Sequence, residues 1–193
     1  MILKIKNLGP LKKAEVDLSK NILFFVGFNN SGKTYLSQVI WAIYNESFYT
    51  EFISTVNVNK ISKVRKINNF KIEESTLKAL LKEYQSFIKE NIHKVFRSEQ
   101  RNYSKFEIEF KLIQDSELLV ANDFSVTFSN SFDKDDIINI STPSNDKRLE
   151  INLSKNRDLE SIKRRIIHFL LLALFNGNSF YLPSIRGAYT TFY

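Results

Sequence analysis

One octapeptide constrains this chain more than any other feature. Gly27-Phe28-Asn29-Asn30-Ser31-Gly32-Lys33-Thr34 has the spacing G-x-x-x-x-G-K-[ST]. Glycines at both ends of such a loop permit a tight turn and let the backbone approach a bound anion closely. Several N–H groups and a helix N-terminus then converge on one phosphate. Lys33 is the candidate point charge for β- and γ-phosphates. Thr34 is the candidate Mg²⁺ ligand, because a hard cation prefers hydroxyl oxygen. Only five glycines occur in 193 residues, and the motif takes two of them.

The flanking pattern fits the motif. Residues 22–26, Ile-Leu-Phe-Phe-Val, are continuously apolar, as in a strand covered on both faces. After Lys33, the residues Leu36, Val39, Ile40 and Ile43 recur at helical spacing to about Tyr44. Before it, residues 2–6 and 14–18 read as strands around an Asn7-Leu8-Gly9-Pro10 turn. Residues 45–70 give no clear period. From Glu73 to about Arg97, Leu77, Leu80, Leu81, Tyr84, Ile88, Ile92 and Val95 form an amphipathic stripe. Period-two alternation follows at 106–112, 118–121, 124–128, 137–140 and 149–153, which predicts an antiparallel meander. A helix is expected from a cap at residues 156–158 to about Phe175, then a short strand at 179–182 running into Pro183.

Composition removes several classes of function. Without cysteine, thiol catalysis, disulfides and zinc ribbons are excluded. His93 and His168 lie far apart, so a histidine metal site is not expected; His168 reads as a core residue. No run approaches the roughly 18 apolar residues of a membrane span, and lysines interrupt the N-terminus, so a cytoplasmic location with no membrane partner is expected. The net charge is +7, with an excess of +4 over residues 1–44, +4 over 45–104, −4 over 105–156 and +3 over 157–193. Lys60, Lys63, Arg65, Lys66 and Lys71 form the densest basic stretch, either a solvated face or a contact for nucleic-acid phosphates. Residues 163–165, Lys-Arg-Arg, open the last helix and carry the same two readings. Trp41 and Tyr44 are expected to pack against the sheet.

Residues 5–12 (Ile-Lys-Asn-Leu-Gly-Pro-Leu-Lys), then Ala-Glu-Val-Asp-Leu, then the Asn-Asn-Ser P-loop, resemble the N-terminal lobe of the ABC/SMC-like ATPases. The subgroup most similar is the OLD-type and related bacterial AAA-labelled ATPases, relatives of the RecF and Rad50 heads. Residues 180–186, Phe-Tyr-Leu-Pro-Ser-Ile-Arg, are similar to a segment after a core strand in that group. The resemblance covers residues 2–44 and 179–187 and is only architectural between them. It implies an α/β P-loop NTPase lobe with an antiparallel β-rich and helical insertion. Residues 1–44 would be the strands, P-loop and helix, 45–156 the insertion, and 157–193 a core helix and strand.

The resemblance also implies ATP and Mg²⁺ as cofactors, with Gly27, Asn29, Asn30, Ser31, Gly32, Lys33, Thr34 and Tyr35 as the binding set. Arg186 stands either near a phosphate or partner, or in a structural role at a strand end. In that family a second lobe supplies the signature, the Walker B aspartate, the catalytic glutamate and a switch histidine, and two heads dimerise. None of those motifs occurs here. The acidic pair Asp135-Asp136 precedes Ile137 instead of following a strand, and no glutamine follows Leu182. No residue is a candidate for orienting the attacking water.

The expected reading is therefore an incomplete catalytic core. It is one part of a larger or split ATPase, completed by a second lobe or head, and poor at hydrolysis alone. Two functions follow: an ATP-driven switch on nucleic acid, in DNA maintenance or anti-phage defence, or a non-catalytic nucleotide-binding assembly module for a protein partner. An ABC transporter ATPase fits less well, given the Asn-Asn-Ser loop and the long insertion.

Overall fold

Strand β1 (Ile2–Leu8) forms because Leu3 and Ile5 alternate with Lys4 and Lys6, so one face is apolar and the other charged. In the computed structural model, which describes residues 1–20, 22–62, 72–112, 125–130, 136–141, 148–152 and 158–175, it is the middle strand of the first of two antiparallel sheets. The chain divides into two compact units. Of the described residues, the first holds 1–20, 22–48 and 85–112; the second holds 49–62, 72–84, 125–130, 136–141, 148–152 and 158–175.

In the first unit, β2 (Leu11–Asp17) and β3 (Glu107–Lys111) flank β1 in the order β2-β1-β3. Leu3, Ile5, Val16 and Ile108 are buried on one face. Opposite charges face each other across strands on the other: Lys4 lies between Glu15 and Glu109, and Lys6 Nζ meets Glu107 at 3.1 Å. The expected meander holds for the strands within 125–152, which pair in chain order, and is corrected at its first strand. The alternation at 106–112 is a strand, but it pairs with β1, about a hundred residues upstream. Alternation specifies a strand and its buried face, and leaves its neighbour open.

Helix α1 (Lys33–Tyr44) buries Leu36, Val39, Ile40, Ala42 and Ile43 and contacts β2. Tyr44 closes it, donating its hydroxyl to the Leu18 carbonyl at 3.2 Å; burial pushes that phenol up to about 12. Trp41 stays partly exposed.

The stretch 22–26 departs most from expectation. No strand forms there among the described residues. Ile22, Phe24, Val26 and Phe28 are 71%, 85%, 95% and 92% exposed, while Leu23 and Phe25 are half-buried. Coverage of both faces requires neighbours on both sides, and no described strand lies beside it.

The second unit packs helices on a sheet. Here α3 (Val58–Ile61) lies in the same unit as parts of α2 (Glu46–Thr55) and α4 (Glu74–Val95), and those two bring together the rings of Tyr49, Phe52 and Tyr84. Helix α5 (Leu159–Leu174) adds Phe175 just past its end. Asp158 caps α5, accepting from Glu160 N–H at 3.0 Å and Ser161 N–H at 3.1 Å. The Ser161 hydroxyl, with these two backbone bonds, holds its carboxyl below the ordinary aspartate range. Strands β4 (Ser125–Asn130), β5 (Asp136–Ser141) and β6 (Arg148–Asn152) form the second sheet, with Ile138, Ile140 and Ile151 buried and α5 against β6. The expected strands at 118–121 and 179–182 lie outside the described residues. No described helix is long and apolar enough to cross a membrane.

Candidate nucleotide-binding loop

Residues 27–32 turn the chain into α1. Asn30 has φ 59 and Gly32, the N-cap of α1, has φ 89. The second value suits glycine, since a Cβ in the left-handed region meets the adjoining carbonyl. Space demands glycine there as well: a Cβ on Gly32 would lie 2.9 Å from Leu11 Cβ and 3.3 Å from the Leu11 nitrogen. The β1–β2 turn is thus seated directly against the loop.

No side chain caps α1, and no acidic residue sits in its first turn. Its first N–H groups keep their partial positive charge, as an anion site requires. Lys33 Nζ folds back over the loop, donating to the carbonyls of Gly27 (2.7 Å) and Phe28 (2.5 Å) and to Ser31 Oγ (3.3 Å). Among the described residues the ammonium is held over the turn by neutral acceptors. A phosphate oxygen entering the loop would meet a cation already in place.

Asn29, Asn30, Ser31 and Thr34 are exposed. The Thr34 carbonyl accepts from Ser37 Oγ at 3.1 Å, as does the Lys33 carbonyl at 3.0 Å, which steadies the first turn. Tyr35, half-buried, is engaged in packing. Its ring stacks on Phe96 with centroids 4.9 Å apart, and Phe96 stacks on Tyr103 at 5.3 Å. A Cβ on Gly9 would fall 2.8–3.0 Å from the same Tyr35 ring. Gly9 and Leu11 of the hairpin, and Phe96 at the end of α4, therefore brace the start of α1. Sequence pattern identified the turn around Gly9 and assigned it no role at the loop. The pairing of a glycine turn with a bulky Tyr35 just inside the helix was the available signal.

Other candidates divide cleanly. Arg186, Lys63, Arg65, Lys66 and Lys71 lie outside the described residues. Lys60 pairs with Glu83 at 3.6 Å. Neither reading of residues 163–165 holds for the first two. Lys163, 3% exposed, donates to Asn59 Oδ1 (3.0 Å) and the Ser62 carbonyl (2.9 Å). Burial lowers the pKa of its ammonium. Arg164 bonds the Ile53 carbonyl and Glu160. Both cations close the C-terminal ends of α2 and α3. His168 is half-buried with its Nε2 unpartnered. Among the described residues no group of three acidic or histidine side chains could hold a metal.

A family model described as AAA ATPase domain matches residues 1–171. Comparison with curated proteins and with solved structures gave no match.

Proposed function

The chain belongs to the AAA ATPase domain family, whose members bind and hydrolyse ATP, and from that premise we propose that it is the nucleotide-binding lobe of an OLD/Rad50-like switch acting on nucleic acid. The observation that carries this reading is the loop itself. An uncapped helix start, a left-handed glycine N-cap and a lysine held over the turn occur at the motif that binds nucleotide phosphates.

Gly27, Asn29, Asn30, Ser31, Gly32 and Lys33 cradle the ATP phosphates, Thr34 ligates Mg²⁺, and Tyr35 sets the helix that carries them. The partner is a completing ATPase lobe or head, which brings the Walker B carboxylates absent from this sequence. What supports it is the apolar face of residues 22–28, open beside the loop. A DNA partner is supported by the basic excess and by the resemblance at residues 2–44. Its role would be DNA maintenance or anti-phage defence.

The test is ATP binding by the full-length protein. Lys33→Ala should lose ATP affinity while keeping its fold, and ATP should change the assembly state of the wild type. Unchanged affinity in that variant would sink the proposal. ATP binding with no change in assembly and no DNA response would favour the non-catalytic module.

A further inference from the structure

Helix α4 ends in an unusual way. The Ser98 N–H reaches the His93 carbonyl at 3.0 Å and the Arg97 N–H reaches the Lys94 carbonyl at 3.2 Å. This is the Schellman pattern, whose left-handed position normally belongs to glycine. Here Arg97 occupies it, at φ 48. A side chain in that conformation is sterically disfavoured, so a residue kept there invites a functional explanation.

The surroundings supply one. The preceding residue, Phe96, stacks on Tyr35, which directly follows Thr34. The segment after Arg97 is tied down: Asn102 Nδ2 donates to Ser98 Oγ at 2.8 Å, Tyr103 stacks on Phe96, and Asn7 Nδ2 donates to the Lys105 carbonyl at 3.1 Å. The backbone of Arg97 is therefore fixed with respect to the first turn of α1, through one ring-on-ring contact. Its neighbour Arg101 is paired with Glu99. The Arg97 side chain is exposed and makes no hydrogen bond or ion pair among the described residues.

We propose that Arg97 is a second cation of the nucleotide site, contacting the polyphosphate of the nucleotide held by the loop. This rests on the nucleotide-binding reading above. A planar guanidinium suits phosphate oxygens, which it can hold through two parallel N–H bonds. It would add to Lys33, whose ammonium is bound to the loop carbonyls, a charge delivered from a separate element.

The experiment is Mg²⁺–ATP titration of the full-length protein, with adenosine as a phosphate-free control. Arg97→Gly removes the charge and suits the left-handed backbone. It should melt no lower than the wild type yet bind ATP about 10-fold or more weakly, with adenosine binding unchanged. Arg97→Lys should recover part of the loss. ATP affinity unchanged in Arg97→Gly, while Lys33→Ala loses it, overturns the assignment and leaves the loop reading intact. Equal losses for ATP and adenosine overturn it too. Failure of the wild type itself to bind ATP would remove both.

Discussion

Two aromatic-rich stretches of this protein meet opposite fates. In the second unit Tyr49, Phe52, Tyr84 and Phe175 come from two helices and the end of a third, and all four are essentially fully buried, with centroids 5.1–6.2 Å apart. In the first unit, residues 22–28 are as apolar in sequence, yet alternate side chains stand 71–95% exposed. The helices bring their own partners, because an amphipathic stripe can close on other stripes nearby. A strand with two apolar faces cannot close on itself. The contrast separates an apolar cluster that is covered from an apolar stretch that, in this chain, is exposed. The open part leads directly into the phosphate loop.

The largest expected effect tests the covered side. Tyr84 sits at the centre of the cluster, and burial drives its phenol well above the ordinary tyrosine range. Tyr84→Ala should cost about 3–5 kcal/mol in urea unfolding, by loss of burial and the cavity left behind. A cost below about 1 kcal/mol would mean that the cluster is loosely packed and the comparison is false.

What sequence could and could not show follows from the range of the forces involved. Helices α1, α4 and α5 were legible because a period of 3.6 and a cap such as Asp158 are local. The loop was legible because phosphate chemistry fixes its residues in one short run. The partner of β3 was not, since Glu107 meets Lys6 only after a hundred residues of intervening chain. The exposure of Phe24 was not, because an apolar run signals a need for cover without saying whether the described chain meets it. Lys163 was misread for a similar reason. A cation at a helix start looks solvated until the carbonyls of other helices close over it. The bracing of Tyr35 by Gly9 and Phe96 required two distant segments to meet, and no periodicity encodes that.

A middle-sized effect shows that the first unit is not open throughout. Tyr44 is half-buried at the end of α1, and its folded pKa of about 12 exceeds the unfolded value near 10. The raised value favours the neutral phenol in the fold. Its contribution is therefore complete below pH 10 and is lost as pH rises from there through about 12. That loss is on the order of 2 kcal/mol by linkage. Tyr44→Phe should flatten the alkaline fall in stability relative to the wild type. Identical alkaline melting curves for the two proteins would show that the end of α1 is as open as residues 22–28 before it.

The smallest effect falls on the open side and is the sharpest test of the comparison. Phe24 is large, aromatic and 85% exposed, so in this chain its ring contributes little buried area. Phe24→Ser should change the unfolding free energy by no more than about 0.5 kcal/mol, the ordinary range for surface positions. It should also leave ATP binding by the loop intact, because the ring is exposed and lies outside the phosphate-loop motif. A loss above about 2 kcal/mol would place Phe24 in a core and erase the distinction between the two regions. If stability holds while joining to the proposed completing lobe weakens, the exposed face is the surface that such a lobe covers. An apolar side chain that is silent in the chain alone and costly in the assembly is what distinguishes an interface from a core.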